Sequence, residues 1–308
     1  AGNDILFDDS LCEQGRNFNN KIWNCFRLVK GWETADIEQP ESAKIAVKWF
    51  EAKLRQTADE VADLFTKYRL SEALMAVYKL VMDEFSGWYL EMIKPAYQTP
   101  IDRTTIEATI GYFEQLMLML HPFMPFITEE IWHELRNRNN GESIMLEQYP
   151  RYENNASGLV ADFERIKEII AGVRTIRLQK NIANKEQLSL VITKGEHDSC
   201  YNPVIAKMCN LLKIELGGAD STAVTFMVGT TEYAVPLGNS IDLNEEVKKA
   251  EEEIKYLEGF LNSVMKKLGN EKFVANAKPE VVENERKKKA DAETKIEALK
   301  SKIETLRK

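Results

Sequence analysis

The stretch LNEEVKKAEEEIKYLEGFLNSVMKKL, residues 243–268, decides the architecture of this chain. Its apolar residues Leu243, Val247, Ala250, Ile254, Leu257, Leu261, Val264 and Leu268 are separated by alternating steps of four and three. That spacing keeps one apolar stripe along a helix and is the mark of a coiled-coil seam. Gly269 and Asn270 then suit a helix end, because both tolerate the left-handed backbone found there. EKFVANAK leads to Pro279, whose missing N–H costs nothing in the first turn of a new helix. A second seam follows at Val282, Ala292, Ile296, Leu299, Ile303 and Leu306. Two such segments in one chain, joined this closely, pair by folding back antiparallel. At about 1.5 Å per residue the outgoing helix is roughly 40 Å long.

The returning seam is interrupted by Glu285 and Lys289, and Gly259 lowers helix propensity by about 1 kcal/mol relative to alanine. The spacing therefore predicts a firm base and a looser outer half. Lys266, Lys267, Arg286, Lys287 and Lys288 cluster toward the turn and offer cations for phosphates. A charge run of this kind also solvates helix faces, and the sequence alone leaves both readings open.

Working outward, residues 1–150 read as a helical bundle. Phe18, Ile22, Cys25, Phe26 and Val29 repeat at helical spacing between Asp9 and Gly31. A second helix opens at Pro40-Glu41, a third at Ser71 as N-cap, a fourth at Ile101-Asp102 and a fifth after Pro125. The third carries Leu74, Val77, Leu80, Val81 and Phe85. Short connections imply an antiparallel, up-and-down arrangement. Residues 151–241 change character. A helix over 159–178 precedes the alternating strand QLSLVIT, a further helix carries Val204, Met208, Leu211 and Leu212, and TAVTFMVGTTEYAVPL reads as a hairpin around Gly229-Thr230. The expected fold is thus mostly α: an antiparallel bundle over 1–150, a small α/β module over 151–241 and an antiparallel coiled-coil hairpin over 242–308.

Composition narrows the function. The chain has 308 residues, 44% hydrophobic and 29% charged, as expected of a globular protein without a bilayer-length apolar run. No signal peptide is recognisable. Cys12, Cys25, Cys200 and Cys209 form no C-x-x-C pair and read as free thiols of a reducing compartment. No metal site is expected. The net charge of −8 is carried by residues 1–150, which hold 15 basic and 24 acidic side chains. Any polyanion site must therefore be a local basic patch. No phosphate-binding glycine loop, dinucleotide fingerprint or acid–base constellation is present, so no catalytic residue is expected.

Two stretches of the bundle remain. In RNFNNKIWNCFR, residues 16–27, the core positions leave Asn20, Lys21, Asn24 and Arg27 on a more exposed face with donors suited to base edges and phosphates. The same residues would also serve as an ordinary solvated face. In LHPFMPFITEEIW, residues 120–132, two prolines three apart fix a helix–turn–helix corner, which reads as packing.

Together these stretches resemble the anticodon-binding helical domain of class I aminoacyl-tRNA synthetases of the valyl, isoleucyl and leucyl group. The segment LGNEKFVANAKPEVVENERK, residues 268–287, is similar to the hairpin of the C-terminal coiled coil of the valyl members, and VRTIRL, residues 173–178, to the helix after their anticodon domain. The cysteine-rich zinc module typical of the isoleucyl members is missing. Cys25 and Leu28 stand where the family more often has Ala and Phe, a difference of packing. The family's HIGH-like and KMSKS-like motifs and editing domain are not found either, so the chain resembles the C-terminal part of such an enzyme.

The resemblance implies a parent enzyme that joins valine to its tRNA with ATP and magnesium, while this part binds tRNA and is catalytically silent. It implies contacts from Asn20, Lys21, Asn24 and Arg27 to the anticodon stem and loop, with Trp23 either stacking there or simply packing. Arg174 and Arg177 are implied at the phosphate backbone or, alternatively, as bridges between bundle and module. Lys266, Lys267, Arg286, Lys287 and Lys288 are implied at the tRNA corner. The expected partner is the tRNA for valine, with no DNA or membrane, and the expected state a cytoplasmic monomer. The alternatives are a coiled-coil protein-interaction module, or the equivalent region of an isoleucyl or leucyl enzyme.

Overall fold

The computed structural model describes residues 8–150, 152, 157–219, 223–237, 243–269, 284, 286–290, 292, 293, 296 and 300. The chain forms two compact units, Ala1–Leu178 with Ala183–Pro236, and Gln179–Ile182 with Leu237–Lys308.

In the first unit, α1 (Asp9–Lys30) starts at Asp8, whose carboxylate accepts the Ser10 N–H at 2.8 Å. Asp9 lies in its first turn and Arg27 and Lys30 in its last, each sign matching the helix dipole. The buried residues of α1 are Phe18, Ile22, Cys25, Phe26 and Val29, the stripe its spacing predicts. The two-residue strand β1 (Thr34–Ala35) follows, then α2 (Glu41–Thr66) after Pro40.

The third helix departs from expectation. α3 (Leu70–Lys79) starts one residue before Ser71, and its N-cap position is Arg69, with no side-chain cap bond. Arg69 instead pairs with Glu72. From Leu80 to Tyr89 the helix widens into a π-helix before α4 (Leu90–Ile93). A 3.6-residue period cannot anticipate that widening. It buries Phe85 and Tyr89, whose rings lie 5.3 and 4.7 Å from that of Phe50.

β2 (Ile101–Asp102) pairs in parallel with β1. Asp102 is 2% exposed and caps α5 (Arg103–Leu120) by accepting the Thr105 N–H at 2.8 Å. The proline corner leads into α6 (Pro125–Leu135). There the single Thr128 hydroxyl hydrogen goes to the Met124 carbonyl at 2.9 Å, so the hydroxyl oxygen is left to accept from His121 Nδ1 at 2.7 Å.

α7 (Ser157–Gln179) joins the bundle core through Phe163, stacked on Trp49 with ring centroids 4.3 Å apart. Beyond it come β3 (Leu188–Lys194), α8 (Asn202–Cys209), β4 (Leu211–Leu216), β5 (Val224–Val228) and β6 (Thr231–Val235). The sheet order is β4-β3-β6-β5, with β3 and β4 parallel across α8 and the other pairs antiparallel. The expected hairpin is β5–β6, with Gly229 at φ +58° in its turn. The expected continuation of α8 through Leu212 is wrong. Asn210 closes the helix in the left-handed conformation at φ 50°, and the chain leaves as β4.

In the second unit, α9 (Leu243–Leu268) is one helix. From residue 254 onward, Ile254, Leu257, Leu261, Val264 and Leu268 are less exposed than their neighbours, as the seam predicts. Val264, Ala292 and Ile296 are buried, and Lys300 Nζ stands 3.6 Å from the Glu258 carboxylate. Lys289 pairs with Glu293 at 3.8 Å. The expected turn from Asn270 to Pro279, and the seam positions Val282, Glu285, Leu299, Ile303 and Leu306, lie outside the described residues. So do the side chains of Leu243, Val247 and Ala250. As described, the chain is mostly helical, with one small sheet module.

Candidate nucleic-acid interface

The face of α1 opposite its buried stripe carries Asn20, Lys21, Trp23, Asn24 and Arg27, all exposed. At 100° per residue, Asn20, Asn24 and Arg27 fall within about 60° of one another, with Trp23 and Lys21 on the two flanks. The face is rigidly backed. Phe18 packs on Tyr78 with ring centroids 4.7 Å apart, and Lys30 donates to the Glu134 carbonyl of α6. Among the described residues, the side chains of Asn20, Lys21, Asn24 and Arg27 have no hydrogen-bond or ion-pair partner, so their polar groups face water. Trp23 leans on Phe26 at 5.2 Å and remains 36% exposed. Beneath the face, burial pushes the Cys25 thiol pKa up, with a Ser86 hydrogen bond and the nearby Lys21 opposing.

Arg174 and Arg177, three residues apart on α7, have different surroundings. Arg174 is exposed. Its guanidinium reaches the Met208 carbonyl at 3.5 Å and lies 5.5 Å from the centre of the Trp88 ring. Arg177 is 5% exposed and donates to the carbonyls of Ala183, Glu186, Cys209 and Asn210 at 3.0, 2.8, 2.8 and 3.4 Å. Burial lowers its pKa, and the carbonyls take up its donors. A group so enclosed has no solvent face for a phosphate, and its hydrogen-bond partners all lie within residues 151–241, so it ties the module together instead of bridging bundle and module.

Lys266 and Lys267 occupy the last turn of α9, where cations oppose the negative end of the helix dipole. They are exposed, as are Arg286, Lys287 and Lys288. Among the described residues no group of His, Cys, Asp and Glu is placed to hold a metal, and no helix is long and apolar enough to cross a membrane.

Residues 47–192 match the family described as the anticodon-binding domain of tRNA ligase, and residues 242–307 match the valyl tRNA synthetase tRNA binding arm. The arm match is to a part of valyl-tRNA synthetases, and the anticodon-binding match is to tRNA ligases more broadly. Relatives agree along its whole length. The valine–tRNA ligase of Phocaeicola vulgatus is 61% identical over 310 residues, covering 100% of this chain and 35% of the relative. That of Bacteroides thetaiotaomicron is 57% identical, covering 100% of this chain and 36% of the relative. A more distant one, from Enterococcus faecalis, is 31% identical, covering 99% of this chain and 36% of the relative. The chain therefore spans about a third of the length of these relatives. The first family match begins at residue 47, so α1 lies before it and is covered by the whole-chain relatives alone.

Proposed function

We propose that this chain is the tRNA-recognition region of a valine–tRNA ligase, holding the anticodon stem-loop on the bundle and the tRNA corner on the arm. The observation that carries this reading is the pairing of an anticodon-binding match over 47–192 with a tRNA-binding-arm match over 242–307 in one chain. The parent enzyme charges valine onto its tRNA with ATP and magnesium, chemistry for which this chain offers no acid–base constellation. Its partner is the tRNA for valine, and it works as a monomer in the cytoplasm.

The division of labour follows from side-chain chemistry. Asn20 and Asn24 each present an amide donor and acceptor side by side, the pattern that reads a base edge. Lys21 and Arg27 flank them and suit the phosphates that fix register. Trp23 offers a ring on which an unstacked loop base can lie. Arg174 and the arm cations Lys266, Lys267, Arg286, Lys287 and Lys288 supply contacts to the backbone, without sequence preference. Arg177 has a structural part instead, holding the carbonyls of Ala183, Glu186, Cys209 and Asn210.

In this reading the chain has three functional parts, over 1–150, 151–241 and 242–308, and the arm is an antiparallel coiled-coil hairpin. The burial of Val264, Ala292 and Ile296 and the Lys300–Glu258 pair support that hairpin.

The test is a gel-shift panel with purified tRNAs. The tRNA for valine is expected to be retained more tightly than those for isoleucine and leucine. Equal retention of every tRNA, or of none, overturns the assignment.

A further inference from the structure

We infer that a groove remote in sequence from the α1 face is a second RNA-backbone site, in which Arg174 and Lys207 hold a phosphate with Lys94 at the rim. The inference rests on the tRNA-binding reading and adds to it a site on other elements. The groove encloses about 620 Å3 and is lined by residues of four separate segments: the start of α2, the stretch from α4 to β2, the end of α7 and the end of α8. Lys94, Arg174 and Lys207 are all exposed and all line it. Their positions, 94, 174 and 207, share no linear spacing, and only the fold brings them together.

The charge in the groove is only partly offset from within. Its acidic lining residues are Glu91 and Asp102. Glu91 stands 3.8 Å from Lys94 and also acts on Lys207, whose pKa burial lowers and Glu91 raises. Asp102 is 2% exposed and engaged as the α5 cap. Among the described residues neither Arg174 nor Lys207 has an ion-pair partner. The Arg174 guanidinium has five N–H donors, and its one hydrogen bond here is the long one to Met208. A planar fork over an aromatic ring with free donors suits a phosphodiester, which accepts two parallel N–H bonds. The setting sharpens the point, since residues 1–150 carry a net negative charge that repels RNA. Backbone contacts on this unit must use local basic grooves of this kind.

The experiment compares binding of the valine tRNA by the unaltered chain, by the Arg174→Gln/Lys207→Gln double variant and by Arg174→Lys, at several salt concentrations. Circular dichroism confirms equal folding. Each lost phosphate contact is expected to reduce the slope of log affinity against log salt by roughly 0.7 to 0.9. The double variant is expected to weaken all tRNAs alike, and Arg174→Lys to keep most of the slope. Phosphate-ethylation interference is expected to lose its signal at one short backbone segment in the double variant. Should the double variant misfold, Lys94→Gln/Lys207→Gln, altering exposed side chains, replaces it with the same expectation. Unchanged affinity and slope in folded variants overturn the groove site and leave the tRNA reading standing. Failure of the unaltered chain to bind any tRNA overturns both.

Discussion

The Arg177 guanidinium donates to the Cys209 carbonyl at 2.8 Å, and thereby ties the end of α8 to α7. The last carbonyls of a helix have no partner within it, so a donor from elsewhere must meet them or they face water. One side chain here also holds the carbonyls of Ala183 and Glu186, fixing the loop that precedes β3.

Removing that donor is expected to loosen the sheet module. Arg177→Met keeps most of the stem but takes the charged donor from four carbonyls. Those of Ala183, Glu186 and Asn210 keep a second donor, in the Glu186 N–H, the Asn210 side-chain amide and the Leu188 N–H, while the Cys209 carbonyl loses the guanidinium. A carbonyl left buried without a donor costs about 1–3 kcal/mol, and the lost charged bonds to the others add to that. A loss of at least about 2 kcal/mol in urea unfolding is the expected outcome. Arg177→Lys is expected to recover only part of it, since an ammonium has three donors and no planar fork. A variant as stable as the parent would show that water replaces the guanidinium.

Gly172 places α7 against the sheet. A Cβ there would lie 2.3 Å from the Phe226 ring, far inside contact distance. The ring is stacked on Tyr233 at 5.4 Å and has little room to retreat. Gly172→Ala is therefore expected to destabilise by about 1–3 kcal/mol, despite alanine's higher helix propensity. Combining it with Phe226→Leu should recover part of the loss, and a double-mutant cycle measures the coupling. Strict additivity of the two changes would refute the contact.

Gly259 predicts the opposite sign. It lies within α9, and nothing stands within 4 Å of where its Cβ would be. Gly259→Ala is expected to stabilise the arm by about 1 kcal/mol, through propensity alone. Thermal unfolding followed at 222 nm checks this. If a looser outer arm serves docking, the same variant will also bind tRNA less well, which titration resolves.

What could be read from the sequence was whatever depends on local period. Phe18, Ile22, Cys25, Phe26 and Val29 are buried at their helical spacing, and Ile254, Leu257, Leu261, Val264 and Leu268 follow the seam. The fourth helix was legible to within two residues: α5 starts at Arg103, and the structure adds that Asp102 caps it by accepting the Thr105 N–H. Features set by tertiary context were missed. The π-helix from Leu80 to Tyr89 breaks the 3.6-residue period, and β4 follows a left-handed Asn210 in a stretch whose apolar residues also suit a helix. The exposure of Asn20, Lys21, Asn24 and Arg27 was legible because burial follows from period. The contrast between Arg174 and Arg177 was not legible, since both are arginines on one helix and only the carbonyls of Ala183, Glu186, Cys209 and Asn210 distinguish them.

Asn24 gives the sharpest test of the α1 face. Its side chain is exposed, has no partner among the described residues and stands between Asn20 and Arg27 on one helix face. Asn24→Ala removes an amide without opening a cavity and raises helix propensity, so the fold is expected to persist. A good bidentate contact to a base edge is worth about 1–3 kcal/mol in DNA complexes, a scale that corresponds to a loss of roughly 5- to 150-fold in affinity. The loss should fall on the valine tRNA and shrink when its anticodon is exchanged for another, because a reader removed from a site that no longer matches costs nothing further. The slope of affinity against salt should stay constant, since no phosphate contact is lost. Arg27→Gln supplies the converse, a reduced slope with little change in anticodon preference. If Asn24→Ala weakens tRNAs of every anticodon equally, the amide reads backbone and specificity lies elsewhere on the bundle.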